Sequence, residues 1–164
     1  MSLHYQGVEP DLILNGDGIR VVLWLSGCSH HCEGCHNPET WDSNSGSDDI
    51  ETAFKLVCEE LDHEWVSGLT LSGGDPLYPA NVDEVTTFVK RIRNKYPNKT
   101  IWVYTGFTYD KVKYLEIMDY IDVLVDGKFI KELADVNYPW AGSTNQRVIK
   151  IANERRKEFS FSAC

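Results

Sequence analysis

The sequence predicts an α/β protein built on a partial, open (βα) barrel with a mostly parallel sheet. Three observations carry this prediction. Short apolar runs alternate with amphipathic helical patterns, most of the runs are uniformly apolar, and the chain has 164 residues. Alternating strands and helices form parallel βαβ units, but a closed eightfold barrel typically needs about 250 residues. The chain is long enough for part of such a barrel, and we expect one domain spanning residues 1 to 164.

Strands are predicted where short apolar runs are bounded by Gly, Ser, Asn or Asp. A short hairpin strand at residues 12 to 14 comes first, because the turn-forming sequence Asn-Gly-Asp-Gly follows it at residues 15 to 18. The other five predicted strands are Val21 to Leu25, Leu69 to Leu71, Ile101 to Tyr104, Val123 to Val125 and Arg147 to Ile151.

Three helical patterns, with apolar residues every three or four positions, lie between the first four of those five strands. At the first two helix starts, Asp48 with Glu51 and Asn81 with Glu84 have the spacing of capping boxes. The patterns run from Ile50 to Leu61, from Val85 to Ile92 and, more weakly, from Val112 to Met118.

Two stretches lack such a pattern. Lys128 to Gln146 has no clear period, and an irregular stretch of that length inside a compact domain is usually a lid or a docking loop. Residues 153 to 164 are predicted to be a charged, fraying tail that ends in Cys164, with nothing near this cysteine to activate it. Cys58 lies on the apolar face of the first helical pattern and is predicted to be a core residue.

The charge balance and the apolar runs exclude several classes of protein. Lys and Arg number 16 against 25 Asp and Glu, a formal net charge of −9, which disfavours nucleic-acid binding. The longest uninterrupted apolar run, Val21 to Leu25, is far shorter than the ~20 residues that cross a bilayer, and residues 1 to 20 lack the apolar centre of a secretory signal. We therefore expect a cytoplasmic protein that binds neither nucleic acid nor membrane.

Polar or glycine-rich residues follow each of the first four predicted parallel strands. In parallel α/β folds the loops after the carboxyl ends of the strands converge on one face, where ligands bind. Any one of these loops is equally well explained as a turn, but four at one edge predict a site. The residues concerned are 26 to 28, 72 to 76, 105 to 106 and 126 to 127.

Three cysteines, Cys28, Cys32 and Cys35, lie within eight residues in the first of these loops. An odd total of five cysteines does not indicate a disulfide framework, so the clustered thiols are predicted to bind a metal. Zinc is one alternative, with one of the three histidines of the loop (at positions 30, 31 and 36) as the fourth ligand. The spacing favours an iron–sulfur cluster, in which three cysteines leave one iron open to a substrate.

The cysteine loop has the form C-x3-C-x2-C after the first parallel strand, and a Gly-Gly pair follows the second. With these motifs the sequence resembles the radical S-adenosylmethionine superfamily, and within it the activating enzymes of anaerobic ribonucleoside-triphosphate reductases. The likeness spans nearly the whole chain and includes its shortness. The matching stretches are residues 15 to 18, 26 to 42, 71 to 77 (LSGGDPL), 101 to 106 (IWVYTG), 123 to 129 (VLVDGKF) and 142 to 147 (GSTNQR).

The resemblance implies a fold, a cofactor and a reaction. Cys28, Cys32 and Cys35 would hold one 4Fe-4S cluster, and S-adenosylmethionine would bind the iron that lacks a cysteine. One electron from a low-potential donor such as a flavodoxin would then split the sulfonium, releasing methionine and a 5′-deoxyadenosyl radical. This radical would take a hydrogen atom from a glycine in the large catalytic subunit of the reductase. The protein supplies geometry, reduction potential and exclusion of water.

The resemblance also assigns residues to the cosubstrate. Gly73 and Gly74 would let the backbone approach the methionine end, since neither carries a side chain. The segment Gly34, Cys35 and His36 would pass beside the adenine.

Two aspartates are further candidates. Asp75 would accept a hydrogen bond from the amino group of the cosubstrate or cap the turn before Pro76, and Asp126 would order the cosubstrate or form a turn.

Three alternatives to this function are left open. The first is an activator of another glycyl-radical enzyme of the formate-lyase type, because residues 35 to 37 and 40 to 42 are similar to those activators. Those chains are generally longer and usually carry Gly-Gly-Glu rather than the Gly-Gly-Asp of residues 73 to 75. A non-catalytic zinc-binding module is a second alternative, and a simple iron–sulfur electron carrier is a third.

Overall fold

The computed structural model describes residues 3–152, which fold as one mixed six-stranded sheet with helices. The predicted tail and Cys164 lie outside the described residues. The strands are β1 (Tyr5–Leu12), β2 (Ile19–Leu25), β3 (Val66–Gly73), β4 (Thr100–Tyr104), β5 (Val123–Asp126) and β6 (Arg147–Lys150). The α-helices are α1 (Ile50–Leu61), α2 (Val82–Lys95) and α3 (Tyr109–Val112), and 3-10 turns occupy Pro38–Thr40, Glu116–Asp119 and Lys131–Leu133.

The centre of the sheet is parallel and its edges are antiparallel. The strands follow one another in chain order from β1 to β6, with β2 through β5 parallel and β1 and β6 antiparallel to their neighbours. The prediction of an α/β fold with a mostly parallel sheet is thus confirmed. Since β1 and β6 each have one neighbour, the sheet is open.

The five predicted central and C-terminal strands are confirmed, with bounds within a few residues. The predicted hairpin before the first parallel strand also exists, but its strand is β1, which ends at Leu12 where the prediction began. Residues 12 to 14 were therefore assigned wrongly in part: the side chains of Ile13 and Leu14 are exposed in the turn. Register explains the difference, because β1 pairs with β2 over Tyr5 to Leu12.

Helix α1 begins at Ile50 as predicted, but its N-cap is one residue later than the predicted Asp48. Its N-cap is Asp49, whose Oδ1 accepts a hydrogen bond from the Thr52 backbone N–H at 3.1 Å, so the predicted box of Asp48 and Glu51 is wrong. The buried face of the helix includes Cys58, which is 5% exposed. The core prediction for this cysteine is confirmed.

Helix α2 begins after Asn81, but the side chain of Asn81 does not cap it. Its amide Nδ2 donates instead to the Ser26 carbonyl oxygen at 2.6 Å, at the exit of β2. This long-range bond directs the Asn81 amide toward the end of β2, and its side chain accepts no hydrogen bond from the first turn of α2, so the predicted box with Glu84 is wrong. Glu84 accepts a hydrogen bond from the Leu3 backbone N–H at 2.9 Å.

The third helical pattern, Val112 to Met118, does not form a helix: only Val112 belongs to α3, and Glu116–Asp119 form a 3-10 turn. Leu115 has φ −70° and ψ 141°, an extended conformation that separates α3 from Glu116–Asp119. Ile117 and Met118 are nevertheless fully buried, so the apolar period marked a buried segment rather than a continuous helix.

The two faces of the sheet are covered differently. Alternate residues of β2, among them Val21 and Leu23, belong with those of β3 and β4 to the main core, which also contains the apolar residues of α1 and α2. The opposite face buries Trp102 and Val125, against which Trp140 packs. Trp140 belongs to the irregular stretch of residues 128 to 146, which therefore covers the part of the sheet that the helices leave open.

Arg20 closes the amino end of the parallel sheet. Its side chain is fully buried and donates five hydrogen bonds, of which those to Thr70 Oγ1 and Thr100 Oγ1 are both 2.8 Å long. Its guanidinium also lies 5.4 Å from the centre of the Trp102 ring. Burial lowers the pKa of Arg20 to about 10, so the group remains charged at neutral pH and depends on these acceptors.

Within the described part of the chain, every helix is too short or too polar to span a bilayer.

Replacing Arg20 tests this account of the amino end. We expect Arg20→Met to lower the free energy of unfolding by about 2 to 4 kcal/mol, because the buried acceptors lose their donor. The measurement is chemical denaturation followed by circular dichroism. The control is Lys90→Met, which removes an exposed ion pair with Glu116 and should change stability little. Equal losses in the two variants would contradict the argument.

Candidate functional site

The predicted site loops meet at the carboxyl edge of the sheet, because β2 through β5 run parallel. They are joined by backbone hydrogen bonds from one loop to the next. Asp75 N–H donates to the Gly27 carbonyl at 2.8 Å, which joins the loops after β3 and β2. Gly127 N–H donates to the Phe107 carbonyl at 3.1 Å, which joins the loops after β5 and β4.

The loop after β2 carries the three clustered thiols and is closed at its base. Gly27 N–H donates to the Thr40 carbonyl at 2.6 Å, and Cys28 N–H donates to the Trp41 carbonyl at 3.2 Å. We call residues 28 to 40 the cysteine loop. Cys28, Cys32 and Cys35 are all half-buried within it and form no disulfide. One short closed loop thus presents three free thiols at the carboxyl edge.

The loop sets the protonation of Cys28. Burial raises the pKa of its thiol above the ordinary value, with the Asp75 carboxylate adding to the rise, although backbone hydrogen bonds from His30 and His31 oppose it. Cys28 without a ligand therefore keeps its proton at neutral pH. A metal that binds this sulfur has to displace that proton, so metal binding is favoured as pH rises.

Three free thiols are a donor set for an iron–sulfur cluster or, with a fourth ligand, for zinc. Ligand atoms around one zinc lie roughly 4 Å apart, because Zn–S bonds are about 2.3 Å long. Among residues 3–152, no group of three or more His, Cys, Asp or Glu side chains is arranged to hold one metal ion. Thiolates that bind separate irons of one cluster are spaced more widely, since each occupies a different corner of a cube.

The three histidines of the cysteine loop each have another contact. The His30 ring is buried against Asp75, with Nε2 2.6 Å from Oδ2. The His31 ring stacks on Trp41 at a centroid separation of 4.5 Å. His36 is exposed, with its ring centroid 5.2 Å from that of Phe129.

The glycine pair after β3 lies directly against the backbone at the exit of β2. Gly73 has φ +98°, a conformation that favours glycine, and Gly74 N–H donates to the Leu25 carbonyl at 2.7 Å. A Cβ on Gly74 would lie 2.6 Å from the Gly27 carbonyl oxygen. Both glycines are half-buried, and we call this line of backbone contact with Leu25 and Gly27 the seam.

Asp75 is 1% exposed, and protein donors already surround its carboxylate. Oδ1 accepts from Leu77 N–H at 2.9 Å, which is the predicted turn before Pro76. Oδ2 accepts from Gly106 N–H at 2.9 Å, and Thr105 Oγ1 donates to Oδ1 at 2.9 Å. A direct contact with a cosubstrate would have to compete with these bonds and stays a prediction.

Asp126, at the end of β5, has a similar environment. Its carboxylate is 1% exposed and accepts from the Tyr109 backbone N–H at 2.8 Å. Arg147 Nε donates to Oδ1 at 3.1 Å, so the carboxylate ties β5 to β6. The predicted role of Asp126 in ordering a cosubstrate is not tested by these contacts.

The second half of the cysteine loop contacts the irregular stretch of residues 128 to 146. Gly34 has φ +75°, and a Cβ there would lie 3.4 Å from the Phe129 ring. The Nζ of Lys131 is 3.9 Å from Glu33 Oε1 in an exposed ion pair. Phe129 therefore lies beside the segment predicted to pass along an adenine. It belongs to the matching stretch of residues 123 to 129, but its place beside Gly34 was not predicted.

Two buried indole N–H groups near the site lack a hydrogen-bond partner within residues 3–152. They belong to Trp24, which pairs in register with Ser72 just before the glycine pair, and to Trp41 at the base of the cysteine loop. A buried donor without an acceptor costs about 1 to 3 kcal/mol.

Comparison with known proteins extends these observations. Residues 14–149 match a family model described as a 4Fe-4S single cluster domain. A protein of Enterobacteria phage T4 is 40% identical over 146 residues, covering 89% of this chain and 93% of that protein. One from Escherichia coli strain K12 is 41% identical over 150 residues, covering 89% and 97%. One from Haemophilus influenzae is 40% identical over 148 residues, covering 88% and 96%.

All three relatives are named anaerobic ribonucleoside-triphosphate reductase-activating protein. The likeness covers most of this chain and nearly the whole of each relative, so it is not confined to the cysteine loop. The chain therefore belongs to the 4Fe-4S single cluster domain family and, within it, to the family of anaerobic ribonucleoside-triphosphate reductase-activating proteins.

Proposed function

We propose that the protein activates an anaerobic ribonucleoside-triphosphate reductase by generating a glycyl radical on its large catalytic subunit. The reaction uses S-adenosylmethionine, a 4Fe-4S cluster and one electron from a low-potential donor such as a flavodoxin. The observation that carries the proposal is the cysteine loop with its three free thiols, set at the carboxyl edge of a parallel sheet. Membership of the family, with its 4Fe-4S single cluster domain, supports this assignment.

We infer that the sheet is the partial, open barrel of the radical S-adenosylmethionine enzymes and forms one domain over residues 1 to 164. Four features support this inference: the parallel strands β2 to β5, the two open edges, the helices on one face and the site loops at the carboxyl ends. An open edge leaves room for a segment of the reductase to reach the site. This suits an enzyme whose substrate is a glycine within another protein.

Cys28, Cys32 and Cys35 are the residues that would hold the cluster, one thiolate for each of three irons. When bound, the cluster supplies the electron that splits S-adenosylmethionine into methionine and the 5′-deoxyadenosyl radical that oxidises the glycine. The chain contributes geometry to this chemistry. The closed base of the cysteine loop keeps the three sulfurs together, and Cys35 Sγ accepts a hydrogen bond from Asn37 N–H at 3.4 Å.

The cosubstrate would lie between the cysteine loop and the glycine pair. Gly73 and Gly74 offer backbone atoms to its methionine end, since the seam against Gly27 has no room for side chains. Gly34 and the exposed ring of His36 would pass along its adenine, beside Cys35. The buried indole N–H of Trp24, on β2 beside Ser72, has no hydrogen-bond partner within residues 3–152.

Three further proposals concern the exclusion of water, the cellular compartment and the two aspartates. The stretch of residues 128 to 146 contacts the cysteine loop through Phe129 and helps to keep water from the reacting groups. Three free thiols and an oxygen-sensitive cluster suit the reducing cytoplasm. Asp126 and Asp75 are proposed to order the cosubstrate, directly or through the loops they hold.

Anaerobic reconstitution tests the proposed function. The chain is loaded with iron and sulfide, reduced, and assayed for 5′-deoxyadenosine with and without an anaerobic ribonucleotide reductase. We expect cleavage of S-adenosylmethionine to yield 5′-deoxyadenosine and a glycyl radical signal on the reductase. The control is the same mixture without reductant, which lacks the electron that the cleavage requires.

Each alternative function predicts a different result. Zinc without iron or sulfide in anaerobically purified protein would support the zinc module. A reducible cluster without cleavage would support the electron carrier. Cleavage that radicalises a formate-lyase type enzyme but not the reductase would support the other activator.

Alanine substitution tests the ligand assignment. We expect Cys28→Ala, Cys32→Ala and Cys35→Ala each to abolish cluster-dependent 5′-deoxyadenosine formation, because each removes one iron ligand. Iron and sulfide per chain and the visible absorbance of the cluster are measured in the same samples. Cys58→Ala is the matched control, since this buried cysteine of α1 should leave the cluster intact. Loss of the cluster in that control, or a normal yield in any of the other three, would overturn the assignment.

A second pair of variants tests the adenine position. We expect His36→Ala to raise the Kd of S-adenosylmethionine about fivefold or more, because stacking of a base on an aromatic ring is worth at least ~1 kcal/mol. His36→Phe keeps a flat ring and should bind nearly as the wild type does. Equilibrium dialysis measures the binding, and His63→Ala, which changes an exposed histidine stacked on Trp65, is the control. An unchanged Kd in His36→Ala would remove His36 from the pocket.

A further inference from the structure

One histidine of the cysteine loop is buried although its neighbours are not. The side chain of His30 is 6% exposed and lies midway between Cys28 and Cys32. Glu33 and His36 of the same loop are exposed. A polar side chain that is buried in an otherwise exposed loop is expected to have a specific hydrogen-bond partner.

That partner is Asp75, 45 residues further along the chain. His30 Nε2 lies 2.6 Å from Asp75 Oδ2, and the ring packs edge-on against Phe107 with centroids 4.6 Å apart. The same oxygen accepts from Gly106 N–H at 2.9 Å and from Thr105 Oγ1 at 3.0 Å. We call His30, Asp75, Thr105 and Gly106 the rim clamp, because they join three loops at the carboxyl edge.

The backbone at position 106 is shaped to admit the His30 ring. A Cβ on Gly106 would lie 2.5 Å from Cδ2 and 2.7 Å from Nε2 of His30, closer than nonbonded atoms approach. The imidazole therefore occupies the space in which any other residue at 106 would place its side chain. This close approach is a second observation, independent of the hydrogen bond, that His30 has a fitted place there.

The rim clamp fixes where the thiols lie relative to the glycine pair. Asp75 directly follows Gly74, and His30 is two residues from both Cys28 and Cys32. The hydrogen bond from His30 to Asp75 thus ties the middle of the cysteine loop to the residue that follows Gly74. Without His30, the base of the loop at Gly27 would still be held by its backbone bonds to Thr40 and Asp75.

We propose that His30, anchored on Asp75 and seated against Gly106, is a positioning residue that holds the cluster loop at the correct distance from the cosubstrate seam. The proposal rests on the proposed function, in which the cysteine loop binds the cluster and Gly73–Gly74 contact S-adenosylmethionine. His30 itself ligates neither. Because all three cysteines remain when the clamp is broken, cluster content should survive while cosubstrate binding suffers.

Three variants and a control test the clamp. His30→Leu removes the hydrogen bond, Gly106→Ala pushes the ring away from Asp75, and His30→Gln keeps an amide N–H near the position of Nε2. Glu33→Gln is the matched control, since Glu33 is an exposed residue of the same loop with one long ion pair. Near-ultraviolet circular dichroism and thermal unfolding check that each variant folds.

Each protein is measured in two preparations, which give two sets of readouts. On the reconstituted protein we measure iron per chain, the Kd of S-adenosylmethionine and the change in the cluster's electron paramagnetic resonance spectrum when S-adenosylmethionine is added. On the metal-free protein we measure the rate at which iodoacetamide alkylates Cys28. The second readout requires neither cluster nor activity, and it reports directly whether the loop is held against the sheet.

We expect His30→Leu and Gly106→Ala to keep wild-type iron, to bind S-adenosylmethionine about tenfold more weakly, and to alter the spectral change, in line with the loss of one hydrogen bond to a charged group. Alkylation of Cys28 should accelerate by a similar factor. His30→Gln and Glu33→Gln should stay within about twofold of the wild type, since neither frees the loop.

Wild-type binding and alkylation in His30→Leu would overturn the clamp, as would equal defects in His30→Leu and His30→Gln, which would mean that the hydrogen bond is not what matters. If His30→Leu does not fold, Gly106→Ala decides by the same measurements. A wild-type chain that takes up no iron and sulfide would contradict the proposed function, while the alkylation rates would still decide the clamp.

Discussion

The carboxylate of Asp75 connects the loops on which the site depends. It follows β3, and its oxygens accept hydrogen bonds from the cysteine loop through His30 and from the loop after β4 through Thr105 and Gly106. A buried carboxylate is costly unless it is fully hydrogen-bonded, so each of these loops is held in place by the need to satisfy the same group. The thiols and the glycine pair therefore belong to one connected edge and not to separate surface loops.

The amino end of the parallel sheet contributes stability, whereas the carboxyl end carries the candidate site. At the amino end a fully buried Arg20 satisfies carbonyls and hydroxyls of β3 and β4, and its contacts serve stability. At the carboxyl end the backbone approaches itself closely at Gly73 and Gly74, and polar groups face one another across the loops. The helices cover one face, while Trp140 and its neighbours cover the other. The candidate site at the carboxyl edge is thus supported by a core that extends beneath it.

Much of this architecture was predictable from local pattern, and the failures have identifiable causes. The apolar runs predicted β2 to β5 correctly because a strand buried on both faces needs apolar residues whatever its neighbours are. The fifth predicted strand, β6, is an edge strand in which only Ile149 is buried. The capping boxes at Asp48 and Asn81 were wrong, since several Asx residues adjoin each helix start and a distant group can recruit one of them. The third helical pattern was wrong as a helix, because α3 ends at Val112, where the pattern begins, and Leu115 adopts an extended backbone.

The sequence by itself determined the donor chemistry: three thiols within eight residues, a glycine pair and a run of strands whose ends would share an edge. Local spacing suffices for these features because they depend on residues close together in the chain. Only the tertiary structure decided that His30 reaches Asp75, that Phe129 lies beside Gly34 and that Arg20 is buried with all its acceptors. These contacts join residues tens of positions apart, and they depend on strand register and on which polar groups remain unsatisfied when the sheet is assembled.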